Sequence, residues 1–118
     1  MMRPTETVAV RLCRESVDFR KSIDGLAGLV EQTLGLDPFN AELYVFTNHR
    51  HDKLKILYWD RSGFALWYKR LEKARFPWPG GETRATVELS ARELGWLLDG
   101  IDFFRLTPHE TLSYRSAG

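Results

Sequence analysis

A single cysteine, Cys13, is all the sequence holds, so no internal disulfide can form and a reducing, cytoplasmic setting is expected. No apolar run approaches the roughly 18 residues that a membrane span needs, and no membrane role is expected. Met1 to Glu6 has no apolar stretch of the secretory type. Missing too are a Gly-rich phosphate-cradling loop, a Cys cluster and an HExxH spacing, so the motifs of nucleotide-binding and zinc enzymes are not there. Nor does one sign of charge dominate, because 17 Lys and Arg meet 16 Asp and Glu.

What the chain does have is bulk. Its 118 residues are 43% hydrophobic and 13% aromatic, with four Trp, four Tyr and seven Phe. That length suits one core, and large rings fill it efficiently. The even charge total hides an uneven distribution. Leu26 to Thr47 contains three acids and no Lys or Arg. Asn48 to Arg75 contains eight basic residues against Asp52, Asp60 and Glu72, a net +5. Phe76 onward has four basic residues and six acidic. A local basic face is therefore expected from the middle block.

Val8, Val10 and Leu12 alternate, which predicts a first strand over Val8 to Cys13. Ile23, Leu26, Val30 and Leu34 recur at helical spacing, with Leu29 on the flank. Ser22 stands at the N-cap position and Gly35 at the stop, followed by Asp37-Pro38. Leu43 to Thr47 and Leu54 to Trp59 are β-formers around the polar run Asn48 to Lys53, a hairpin with a long tip. Asp60 to Gly63 reads as a tight turn into Phe64 to Leu71. Phe64, Trp67, Tyr68 and Leu71 also fit helical spacing, but the turn and the aromatics favour a strand. Pro77, Pro79, Gly80 and Gly81 mark a loop before a strand over Arg84 to Leu89. Ser90-Ala91-Arg92-Glu93 is a capping box for a second helix that ends at Gly100. The expectation is one α+β domain over residues 1–106, an antiparallel sheet carrying two main helices in the order β-α-β-β-β-β-α. Residues 107–118 read as a polar tail.

Asp18-Phe19-Arg20-Lys21-Ser22-Ile23-Asp24-Gly25-Leu26 resembles the DMRKSIDGL-type signature of the TnpB-type accessory proteins of the IS-sixty-six family of bacterial insertion sequences. Leu54 to Asp60, Gly63-Phe64, Leu66 to Glu72 and Phe76 to Pro79 resemble a second block, and Leu94 to Asp102 a third. These blocks cover most of the chain in order. The resemblance implies a small protein encoded beside a larger transposase and needed for efficient transposition. It does not imply the RNA-guided nuclease that shares the name TnpB in other elements. His49 and His51 depart from the family pattern and are not treated as family sites.

Possible catalytic and metal groups are few. His49-Arg50-His51-Asp52 offers a metal too few ligands, so no metal or cofactor is expected. Cys13 reads as a small buried apolar residue. Asp60, Asp99 and Asp102 are the carboxylates that a two-metal site would need. Yet Asp60 opens a turn and Asp99 closes a helix, places where Asp serves the backbone. No catalytic residue is therefore assigned, and the chain is read as a non-enzyme.

The basic block is the stronger site. Lys53, Lys55, Arg61, Lys69, Arg70, Lys73 and Arg75 are interleaved with Tyr58, Trp59, Trp67, Tyr68, Phe76 and Trp78. Cations suit phosphates and aromatic faces suit unpaired bases, although strand alternation assigns most of these aromatics to the core. Arg20 and Lys21, just before the first helix, extend the set. Lys53 and Lys55 share a side by alternation, whereas Lys69 and Arg70 cannot. DNA and the element's transposase are the expected partners, and oligomeric state is left open. DNA binding through the basic face is one reading, docking on the transposase without DNA contact the other. A continuous cationic stripe favours the first and an exposed apolar patch the second.

Overall fold

The structure, a computed structural model, describes residues 8–80 and 84–106. Five strands form one sheet: β1 (Ala9–Cys13), β2 (Glu42–Thr47), β3 (Lys53–Asp60), β4 (Gly63–Arg70) and β5 (Thr86–Leu89). The helices are α1 (Ile23–Gly28), which continues into a π-helical turn over Leu29–Thr33, α2 (Ala91–Leu98) and α3 (Phe103–Leu106). This is the expected α+β class and element order, with α3 and the π turn unforeseen.

The strand order is β4-β3-β2-β1-β5. β2–β3, β3–β4 and β1–β5 pair antiparallel, but β1 and β2 run parallel, with Val10 beside Leu43. The sheet is thus mixed, not wholly antiparallel as the sequence suggested. The reason is the connection. A segment containing α1 joins β1 to β2, and a helical crossover returns the chain to the end from which it started.

Alternation divides the strands between two cores. Val10, Leu12, Leu43, Val45, Leu54 and Ile56 pack with Leu94, Leu97 and Leu98 of α2. On the opposite face Cys13, Tyr44, Phe46 and Leu57 pack with Leu26 and Val30 of the first helical segment. β2 is the central strand and is covered on both sides, which accounts for its unbroken apolar run. Each fully buried Leu contributes about 1.5–3 kcal/mol.

The helix ends follow their local sequence unequally. Ser90 caps α2 as expected: its Oγ accepts from the Glu93 amide at 3.0 Å, and Glu93 Oε1 accepts from the Ser90 amide at 2.9 Å. Ser22 occupies the N-cap position of α1 but its side chain makes no capping bond. Gly35 and Gly100 end their helices at φ +67° and +78°, where a side chain would be strained. The expected loop residue Gly81 and the expected tail, residues 107–118, lie outside the described residues.

Because β1 and β2 are parallel, their C-terminal ends lie together, beside the end of β4. Three connections therefore meet at one end of the sheet: residues 14–21, residues 48–52 and the segment that follows Arg70.

Candidate nucleic-acid interface

The turn between β2 and β3 is the centre of this end, and it is pinned. Asn48 Nδ2 donates to Asp52 Oδ1 at 2.7 Å, and Asn48 Oδ1 accepts from the Lys53 amide at 3.1 Å. Buried Thr47 donates from Oγ1 to the Lys53 carbonyl at 2.9 Å. Two further bonds clamp the segment after β4 to the same turn. The Leu71 amide donates to the Asp52 carbonyl at 2.8 Å and the Phe76 amide to the His51 carbonyl at 2.7 Å. On the other side the Val17 amide donates to the Thr47 carbonyl at 2.9 Å. The long tip expected from the sequence is thus held between two neighbouring segments.

Onto this frame the fold gathers cations from three parts of the chain. Lys53 stands directly opposite Arg70 across β3 and β4. A shallow groove brings Arg20 and Arg50 to Lys53. Lys73 and Arg75 are exposed on the clamped segment. Lys21 is exposed too, its aliphatic stem lying over Gly25. A Cβ at Gly25 would come within 3.1 Å of Lys21 Cβ, so a side chain there would press on the Lys21 stem. The neighbouring acids are Asp18, Asp52 and Glu72.

Some of this charge is neutralised at short range. Arg20 makes a forked contact with Asp18, with Nη2 to Oδ2 at 2.6 Å. The guanidinium and the Arg20 amide hold the Asp18 carboxyl down at about 2. Arg70 Nε pairs with Glu72 at 3.0 Å. Arg50, Lys53, Lys73 and Arg75 form no ion pair among the described residues. Asp52, held down first by its hydrogen bond from Asn48, also feels the charges of Arg50 and Lys53 without pairing with either.

Three of the expected residues do not present a free cation here. Lys55 shares the face of Lys53, but its Nζ donates to the Phe19 carbonyl at 3.0 Å and the Lys21 carbonyl at 2.7 Å. It also lies 4.6 Å from the Phe19 ring centroid. Burial pushes its pKa down. Lys69 points to the opposite face and donates to the Leu98 carbonyl at the end of α2, at 2.9 Å. Alternation forbids it from joining Arg70. Arg61 sits in the β3–β4 turn at φ +56°, at the far end of an eight-residue strand. At about 3.4 Å per residue that is well over 20 Å away. Arg50, in contrast, belongs to the basic block by sequence, yet nothing in its local pattern singles it out as a site residue. Its adjacency to Lys53 is a product of the turn, which no periodicity encodes.

The aromatics of the block are mostly packing groups. Phe76 is buried, and Tyr58, Trp59, Trp67 and Trp78 are half-buried, whereas Tyr68 is 50% exposed. Trp78 Nε1 donates to the carbonyls of Cys13 and Arg14 at 3.3 and 3.1 Å. Cys13 is itself buried, and desolvation raises its thiol pKa. Asp60 lies at the β3–β4 turn, while Asp99 and Asp102 follow α2. Among the described residues no three or more His, Cys, Asp or Glu side chains form a metal-binding group. No helix of the described residues is long and apolar enough to cross a membrane.

The fold and this end define a small α+β protein with a pinned, cation-rich edge. The chain belongs to the IS66 Orf2-like family, since the model described as "IS66 Orf2 like protein" matches residues 8–108. It is thereby an insertion-sequence-associated protein of transposition. Two relatives come from Sinorhizobium fredii, both described as uncharacterized proteins. The chain is 34% identical to y4jC over 106 residues, 90% of each chain. It is 34% identical to y4hO over 111 residues, 94% of each chain. No solved structure matches it.

Proposed function

We propose that this protein is a non-catalytic accessory factor of transposition whose cationic end lies against the phosphate backbone of DNA. One observation carries the reading. Arg50, Lys53, Lys73 and Arg75 come from different segments, stand together at one pinned end and lack ion-pair partners among the described residues. Arg20, Lys21 and Arg70 flank them. Phosphate-bound cations position a protein on a duplex and carry little sequence information. Binding should therefore weaken steeply with salt, and removing one phosphate-bound cation should lower the log–log slope by about one.

The test is a salt series of duplex binding for the wild type, Arg50→Ala/Lys53→Ala and Lys73→Ala/Arg75→Ala. Arg61→Ala and Lys69→Ala serve as controls that leave the slope unchanged. Undetectable binding at low salt, or one slope for all five proteins, rejects DNA contact. The non-catalytic half of the reading has its own test. Metal-dependent cleavage by purified protein that disappears in Asp60→Asn or Asp102→Asn would overturn it.

Docking on the transposase is the second reading, and a different observation favours it. Phe39, 54% exposed, packs with Trp59 and Phe64 in a trio of rings 5.0 to 5.2 Å apart, at the end remote from Arg50. Exposed aromatic clusters suit protein contacts. Loss of transposase capture in Phe39→Ser, with the DNA slope intact, is the result that supports it.

A further inference from the structure

β4 is an edge strand of the sheet. It pairs with β3 without interruption from Gly63 to Arg70, and among the described residues no strand lies beyond it. The hydrogen-bonding phase is set by the Leu71 amide, which donates to the Asp52 carbonyl in continuation of the same ladder. Odd-numbered residues of β4 therefore bond inward to β3. The backbone N–H and C=O groups of Phe64, Leu66, Tyr68 and Arg70 point outward.

Soluble proteins protect such edges with charge, proline, bulges or a covering element. Here Gly63 to Tyr68 contains no charge and no proline, the ladder has no bulge, and Tyr68 is 50% exposed. An eight-residue edge of this composition is a template for another strand.

We propose that the β4 edge pairs with β4 of a second copy of this chain, antiparallel across a two-fold axis at Trp67. The sequence of β4 complements itself in this register. Phe64 faces Arg70 and Leu66 faces Tyr68, so every outward residue enters a pair that exchanges two hydrogen bonds. On the other phase Ala65 faces Lys69 and Trp67 faces its own copy. No two cations meet: Arg70 is set over an aromatic ring and Lys69 beside a small residue. Shifting the register by two residues sets Arg70 opposite Ser62 in one direction and Phe64 opposite Glu72 in the other, and either shift forfeits that pair because Ser62 and Glu72 lie outside the strand. The result is a continuous sheet through both copies, with the two cationic ends facing in opposite directions. The proposal does not depend on nucleic-acid binding.

The test is the mass in solution of the full chain, without nucleic acid, by sedimentation equilibrium. Tyr68→Pro removes an outward N–H and no bond within the chain, and Tyr68→Lys sets a charge on the edge. Thermal melts establish that each variant is folded. The expected result is twice the 13.7 kDa chain mass for the wild type and the single mass for the folded variants. A wild type that stays at the single mass at about 0.2 mM, where even weak pairs of Kd near 0.1 mM are populated, overturns the proposal. So does a dimer that survives in Tyr68→Lys, because another surface would then hold it.

Discussion

Lys55 is anchored to Phe19 twice, donating from Nζ to its carbonyl at 3.0 Å and lying 4.6 Å from the centre of its ring. The second carbonyl bond, to Lys21, makes this lysine a tie between β3 and the connection that leads into α1. Two of the three donors of this ammonium are thus committed to backbone carbonyls of its own chain. Lys55→Met keeps the stem and removes the charge, so it should cost about 1–2 kcal/mol of unfolding free energy. It should change the salt dependence of DNA binding less than Lys53→Ala does. Urea melts of Lys55→Met, Phe19→Ala and the double variant give the check. Strictly additive effects would mean that the two residues do not interact.

Two serines in equivalent positions should behave differently. Ser90 closes a reciprocal capping box on α2, so Ser90→Ala should cost about 1 kcal/mol. Ser22 makes no capping bond, and Ser22→Ala should leave stability within about 0.5 kcal/mol of the wild type. Thermal or urea unfolding decides. Equal destabilisation at both positions would show that the first helix is capped in solution after all.

The contrast between these serines shows where the sequence was legible. Local chemistry was readable wherever it was self-sufficient. The capping box, the glycine stops at Gly35 and Gly100 and the tight turn before Phe64 all appear where their residues predict. That turn also decides the character of Phe64 to Arg70, whose spacing alone suits a helix as well as a strand. The parallel pairing of β1 with β2 was not readable, because alternation tells which face a residue takes and not which neighbour its strand chooses. The candidate site was legible in part for the same reason. Alternation correctly separates Lys69 from Arg70 and joins Lys53 to Lys55. It says nothing of carbonyls from residues 19 and 21 arriving over Lys55, nor of Arg50 lining one groove with Lys53. Those facts depend on three loops meeting at one end of the sheet.

The pH response should come from the same end. His51 holds its backbone at φ +61°, and its ring centroid lies 5.9 Å from that of Trp78. Burial lowers its pKa from the ordinary 6.5, and the charges of Arg75 and His49 lower it further. The folded protein therefore keeps this imidazole neutral after the unfolded chain has begun to bind its proton. Stability attributable to His51 is complete above about pH 6.5 and falls as pH drops toward the folded-state value. His51→Asn tolerates the left-handed backbone and does not titrate, so its stability should fall less over this window. Urea midpoints at about pH 7.5 and about pH 5.5 measure the difference. An identical fall in both proteins would exclude His51 as the source. A duplex at the cationic end adds a second readout. Phosphates beside Arg75 offset its field, so the His51 pKa followed by NMR should rise when DNA is added. A His51 titration that DNA leaves unmoved, under conditions where DNA is bound, would place the phosphates elsewhere on the surface.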